Sequence, residues 1–506
     1  ALNPEWIGMG QLNGKDYQHD KMNQLDLCGT SGVSPFYQAM ARGLDVLLAH
    51  KYADPNRVAV SGLSGGGWQT IFVSSLDTRV TLCNPVAGYS SLRTRARFLE
   101  DLGDSEQTPC DLGDVTDYAL LTALLAPRPA LLTFNARDNC CFAADHALQP
   151  LLDAATPIYK LYGKEHAIRA HVNYDPGDHN YGPDNRQAFY RMLGDFFYPA
   201  ESAFNAIEIP CENEVKAHTN LLVQIPANNA TFNSLALALS RDLPRQPKLP
   251  AKKAAAEKWQ QVNRSKLRQV TRARHSQAVA ERMGTDEKDG TQATFWRIKV
   301  DDAWTVPAVE LARGEPGETV ILVADGGRAG AAAEAERLLA SGKRVLAVDP
   351  FYFGESKIRS HDSLFALLLA AVGERPLGLQ AGQLAAIARW SKARFPDGPV
   401  LILALGPRSS TFTLVAAALE EKAIAGIELR GMLGSLKEVV EQNWGVDQKP
   451  EMFCFGLLEA FDIKHLIALV APRPVRVPAA SDRARSELKD LNAFCSTLGG
   501  ESPLHE

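Results

Sequence analysis

Three side chains near the start of the chain could together break an acyl bond: Ser64, Asp138 and His179. A serine hydroxyl is a weak nucleophile, so it needs a base to take its proton, and the base needs an acid to orient it. Ser64 stands in Gly62-Leu63-Ser64-Gly65-Gly66-Gly67, a G-x-S-x-G sequence that follows the apolar Val58-Ala59-Val60-Ser61 and opens a helix-like run. Flanking glycines leave room for the sharp strand-to-helix bend that lifts such a hydroxyl above a sheet. The Gly65 amide, at the helix N-terminus, is the expected donor to the oxyanion formed in acyl transfer. Asp138 follows the apolar strand Ala130–Asn135, and His179 lies in Asp175-Pro176-Gly177-Asp178-His179-Asn180, a turn straight after a strand ending at Tyr174. The order serine, acid, histidine is the one that this bend requires.

Other residues compete for these roles. His146, His166 and His171 also follow Ser64; the first two have helix-like or loop contexts, and His171 lies inside a strand. Asp145, Asp175 and Asp178 compete with Asp138 as the acid. Cys140 and Cys141 follow the acid directly and read as two small buried thiols, with a lining role in the cleft or a vicinal disulfide as alternatives.

The elements that must position these residues alternate between helix and strand, the pattern of a parallel sheet covered by helices. Residues 39–50 have helical spacing, followed by strands at Arg57–Ser61, Val80–Ala87, Ala130–Asn135 and Ala170–Tyr174 and a closing helix at Gln187–Phe197. A second stretch has the same rhythm. Its strands are expected at Thr294–Val300, Val306–Ala312, Val320–Ala324, Val345–Asp349 and Val400–Leu405, with helices at Gly330–Ser341 and Leu379–Arg394.

Between them, residues 241–282 carry twelve Arg and Lys against Asp242, Glu257 and Glu281. A solvated linker helix accounts for this, and a surface for an acidic polymer is the alternative. At 506 residues the chain is too long for one core, and 45% hydrophobic with 22% charged residues is a globular composition. A net charge of -5 argues for neither a nucleic-acid nor a membrane partner, and the longest apolar run, Leu364–Val372, is too short to cross a bilayer. Eight cysteines in this length do not make a disulfide framework. The compartment stays open, export included.

Two segments repeat one another. Asp117–Pro129 (DYALLTALLAPRP) and Asp462–Pro474 (DIKHLIALVAPRP) share eight positions, and Asn3-Pro4-Glu5-Trp6-Ile7-Gly8 aligns with Asp349-Pro350-Phe351-Tyr352-Phe353-Gly354. Two tandem copies of one unit are expected. The second copy has strands and a helix ahead of Asp349 that the first does not have ahead of Asn3, so an N-terminally incomplete first copy is expected. The second copy lacks the chemistry. Arg408 is expected where Ser64 would fall, beside Pro407, and His505 is the sole histidine after Pro474. Asp325-Gly326-Gly327 reads as the remnant of an oxyanion loop.

The segments GLSGGGWQT, LLAPRPALLTFNARD and PGDHNYG resemble the bacterial acetyl xylan esterase group of the α/β-hydrolase superfamily over residues 1–200, and in degenerate form over 293–477. The resemblance implies an α/β class with a mostly parallel sheet and helices on both faces, in two tandem copies. It implies domains at 1–200 (catalytic), 201–290 (linker with a basic helix) and 291–506 (degenerate). It implies a Ser64-Asp138-His179 triad, no metal and no cofactor, and removal of short acyl groups from an acylated carbohydrate or another small ester. In this group the first oxyanion donor comes from a loop after an early strand, and with the first copy expected to be N-terminally incomplete that loop is expected to be missing from it. Related domains include peptidases and dienelactone hydrolases. The alternatives are therefore a prolyl-oligopeptidase-like peptidase and a silent carbohydrate-binding or scaffold protein.

Overall fold

Short apolar runs punctuated by glycine, proline and aspartate fold as strands when both faces can be covered, and the first half of the chain supplies four of them. The computed structural model describes residues 1–504 other than Pro247 and Arg359; His505 lies outside the described residues. The chain divides into two compact units. The first comprises residues 1–22, 32–231 and 370–373, and the second comprises 23–31, 232–369 and 374–506.

The first unit is built on a four-stranded sheet of β1 (Ala59–Leu63), β2 (Leu82–Val86), β3 (Ala130–Asn135) and β4 (Ile168–Asn173), in that spatial order. Every neighbouring pair is parallel. The inner strands β2 and β3 are buried along their whole length. Helix Gly65–Leu76 buries Trp68, Ile71, Phe72 and Val73, and helix Pro183–Phe197 seats Met192 on Leu82 and Leu131. Each such side chain removed from water contributes about 1.5–3 kcal/mol. Parallel strands have one consequence for chemistry. Their C-terminal ends, Leu63, Val86, Asn135 and Asn173, share one edge of the sheet, and the segments leaving that edge carry Ser64, Asp138 and His179.

The second unit holds an eight-stranded mixed sheet in the order β12-β11-β10-β8-β9-β7-β6-β5. Its strands are β5 (Ala278–Lys288), β6 (Thr291–Val300), β7 (Trp304–Ala312), β8 (Thr319–Ala324), β9 (Arg344–Val348), β10 (Val400–Leu405), β11 (Gly426–Arg430) and β12 (Val475–Arg476). The strands β5, β6 and β7 form an antiparallel meander, β7 meets β9 antiparallel, and the remaining pairs are parallel.

The segment 201–290, expected as a linker, is divided between the two units. The first unit runs to Thr231 and the second resumes at Phe232. Helix Lys253–Thr271 buries Ala256, Trp259, Gln260, Asn263 and Leu267 within the second unit, so it is amphipathic rather than solvated all round. One of the basic groups there is spent internally: Arg264 donates to the Ala418 and Leu469 carbonyls and pairs with Glu421. Among the described residues no single helix is long and apolar enough to cross a membrane.

The repeated segments share local geometry. The Asp117 carboxylate accepts the amides of Tyr118 and Leu92, and that of Asp462 accepts Ile463 and Leu436. The Arg128 guanidinium donates to the carbonyls of Asp77 and Val80, and Arg473 donates to those of Glu420 and Ile424. Asp77 and Glu420 are the C-caps of the helices Gly65–Leu76 and Pro407–Leu419.

Candidate active site

The Ser64 backbone has φ 59° and ψ -118°, a conformation that costs a non-glycine residue roughly 1–3 kcal/mol. Its surroundings hold it there. Ser64 N donates to Val86 O at the end of β2, and Ser64 O accepts Trp68 N, closing the first turn of the helix, each at 2.9 Å. Close backbone approach explains three glycines. A Cβ on Gly62 would lie 2.8 Å from the Gly66 backbone, one on Gly67 2.6 Å from Val86 O, and one on Gly88 2.5 Å from Ser64 O. Gly65 is the first residue of the helix, where an amide has no partner in the preceding turn.

Asp138 and His179 meet. His179 Nδ1 lies 2.9 Å from both carboxylate oxygens of Asp138. The Asp138 side chain is fully buried, while that of His179 keeps 18% of its surface. Burial pushes the Asp138 carboxyl up. The hydrogen bonds from His179, the Cys140 amide, Asn135 and the Cys141 amide outweigh that, and hold it below the usual aspartate value. With Nδ1–H given to the carboxylate, Nε2 is left with its lone pair, the form a general base needs. Asn139 Oδ1 accepts the His179 backbone amide and fixes the loop from the other side.

The strand order puts β1 and β4 on opposite edges of the sheet, so the loop after β4 must reach back over β3 and β2. Tyr181 makes that reach. Its hydroxyl bonds Ser61 Oγ on β1 and accepts Asn84 Nδ2 of β2 at 3.2 Å, and Thr133 Oγ1 of β3 donates to Asn84 Oδ1 at 2.7 Å. A polar row on three strands thus anchors the loop two residues beyond His179. Among the described residues, no hydrogen bond joins Ser64 Oγ to His179.

The rival groups are engaged elsewhere. His146 bonds Asp101 and Asp145 and stacks on Phe98. His171 bonds Asp184, and His166 stacks on Phe196. The Asp178 carboxylate accepts Asn180 Nδ2. Two contributors were not legible as site residues. One is Tyr181, which follows His179 in the quoted PGDHNYG. The other is Trp6, whose Nε1 is buried without a hydrogen-bond partner and lies 4.0 Å from where a Cβ on Gly65 would stand.

Two clusters have the composition of metal sites. In the first, His19 Nδ1 is 2.8 Å from both Asp104 and Glu106, and its Nε2 donates to Ile7 O. Burial opposes the charge on His19, but the two carboxylates outweigh it and raise its pKa to about 11. The second cluster gathers Cys140, Cys141 and a ring nitrogen of His179 within 4.8 Å of one another.

In the second unit the strand β10 also runs into a helix, Pro407–Leu419, and a glycine stands at that junction. Gly406, rather than Arg408, occupies the strand-to-helix junction: its amide donates to Arg430 O at the end of β11, as Ser64 N does to Val86 O. The free amides that open helix Pro407–Leu419 are already taken, because Asp325 accepts those of Arg408 and Ser409. The expected oxyanion-loop remnant is therefore a helix cap. Arg408 turns inward to a fully buried Glu451.

What fold and site define is a mixed α/β chain carrying a histidine–aspartate pair on the same sheet edge as a strained, helix-opening serine. No family model matches the chain, and no curated protein does. Solved structures similar to it include a candidate acetyl xylan esterase from Bacteroides fragilis, 12% identical over 55% of this chain and 82% of its own, with a TM-score of 0.46. A glucuronoyl esterase from Solibacter usitatus is 12% identical over 51% of this chain and 87% of its own (TM-score 0.35). One from Teredinibacter turnerae is 14% identical over 50% and 76% (TM-score 0.36). Superpositions this loose carry no argument about activity.

Proposed function

We propose that the first unit is a serine esterase acting on short-chain acyl esters, with a carbohydrate as the natural alcohol. The observation that carries this reading is the Asp138–His179 pair on the edge where Ser64 holds its strained bend. His179 Nε2 takes the Ser64 proton as Oγ attacks the ester carbonyl, and Asp138 stabilises the imidazolium that forms. The Gly65 amide receives the oxyanion, and the unpartnered Trp6 N–H beside it supports a second donor. His179 then protonates the leaving alkoxide, and water activated by the same ring releases the acid. The carbohydrate half of the proposal rests on the resemblance of GLSGGGWQT and PGDHNYG to acetyl xylan esterases. The second unit is read as a degenerate tandem copy, supported by the matched Asp117 and Asp462 caps and by Gly406 in the place of Ser64.

Ser64→Ala should lower kcat on p-nitrophenyl acetate by about 10⁴-fold or more without moving the thermal transition. Wild-type protein should also release acetate from acetylated xylan and leave aminoacyl-anilides untouched. Full ester turnover by Ser64→Ala would remove the reading, and anilide cleavage would move it to a peptidase.

A further inference from the structure

The thiols beside the candidate base are arranged for more than filling space. Cys140 is exposed, Cys141 is buried, and both are free. Their sulfurs lie 3.3 Å apart, and a ring nitrogen of His179 falls within 4.8 Å of both. The backbone under them is fixed, because both cysteine amides donate to Asp138 Oδ1. The Asp138 carboxylate lies 2.9 Å from His179 Nδ1 and holds the imidazole in place beside the thiols.

We propose that Cys140, Cys141 and His179 form an inhibitory site for a thiophilic divalent cation of the zinc class, which switches off the candidate esterase by sequestering its base. The regulatory half of this rests on the function proposed above. Two sulfurs and one imidazole nitrogen are the donor set of zinc, whereas magnesium and calcium require oxygen ligands. Zinc–sulfur bonds of about 2.3 Å and zinc–nitrogen bonds of about 2.0–2.1 Å place tetrahedral ligands roughly 3.4–3.8 Å apart. The sulfurs, 3.3 Å apart, and the ring nitrogen, within 4.8 Å of both, already lie close to that spacing. Three protein ligands leave the fourth position to water. On binding, each thiol releases its proton to solvent, and two thiolates with a neutral imidazole balance the dication. A ring nitrogen held by the metal leaves the imidazole unable to serve Ser64. The cation therefore acts as a reversible inhibitor, removable by a chelator.

Two readouts separate this proposal from the esterase reading. In Ser64→Ala protein, where no turnover is needed, Co²⁺ should bind one to one with thiolate-to-metal absorption, which the double variant Cys140→Ser/Cys141→Ser should lose. In the wild type, Zn²⁺ should inhibit p-nitrophenyl acetate hydrolysis, EDTA should restore it, and Mg²⁺ should have no effect. Cys140→Ser retains the backbone amide on Asp138 and changes an exposed side chain. Relative to its own uninhibited rate, it should need at least about tenfold more Zn²⁺ for half-inhibition. Absence of the thiolate band, an unchanged inhibition constant in Cys140→Ser, or a thiolate-bound metal without inhibition would each overturn the proposal. A protein inactive on esters that still showed the band would instead retire the esterase reading and leave the metal site standing.

Discussion

At the scale of single residues, the site depends on which proton sits where. Asp138 accepts from His179, from Asn135 and from two amides, and this keeps it ionised although its side chain is buried. Asp138→Asn would keep the shape, but its amide can offer an N–H where the ring needs an acceptor. A loss of about 10³–10⁴-fold in kcat is expected, with the fold retained by circular dichroism. The pH dependence of stability has a definite sign. Because the folded pKa of Asp138 is depressed, its hydrogen-bonded carboxylate stabilises the protein above the ordinary aspartate value of 3.8. That contribution fades as the pH falls through the lower folded value. The stability gap between wild type and Asp138→Asn should therefore narrow on acidification, as chemical denaturation across pH would read.

At the scale of elements, the strand-to-helix bend separates glycines that are needed from one that is not. Gly88 lies outside the G-x-S-x-G sequence, yet a Cβ there would come within 2.5 Å of Ser64 O and Trp68 N. A Cβ on Gly66, inside the motif, would meet nothing within 4 Å. Gly88→Ala should destabilise the protein by about 1–3 kcal/mol and abolish ester turnover. Gly66→Ala should fold normally and shift stability by less than about 1 kcal/mol in either direction. Thermal melts and initial rates on the two variants test the contrast. The elements themselves were unevenly legible. The strands Ala130–Asn135 and Val400–Leu405 were readable to the residue, because central strands covered on both faces are continuous apolar runs. The strand β5, at the edge of its sheet and largely exposed, carries Glu281, Arg282, Asp286 and Glu287, and it reads as linker. In helix Lys253–Thr271 the buried stripe includes Gln260, whose amide donates to the Ala468 and Ala471 carbonyls, so a core position looked like a solvated one.

At the scale of the whole molecule, the second unit closes its own strand-to-helix junction after β10 with charged groups. Its buried Arg408–Glu451 pair stands just past the bend, and the Asp325 carboxylate covers the helix amides an oxyanion would use. Arg408→Ala would leave Glu451 buried and uncompensated, a loss of about 3–5 kcal/mol. Calorimetry should show that loss, while ester turnover per folded molecule stays within about twofold of wild type. A large fall in turnover by the folded protein would mean that the second unit shares in catalysis.

By itself the sequence determined the local features: the glycine-flanked serine, the alternation of helix and strand, the acid and histidine that follow two strands, and the repeated Asp-to-Pro segment. Each is set by neighbours along the chain, through backbone sterics and hydrophobic periodicity. The tertiary structure decided what depends on partners far away in sequence. It paired His179 with Asp138, and it carried the loop after β4 back to Ser61 through Tyr181. It also filled the bend of the second unit with Asp325 and turned a charged helix inward. A hydrogen bond between residues forty or more positions apart leaves no mark on local spacing, and only the packing of the sheet fixes which polar groups face one another.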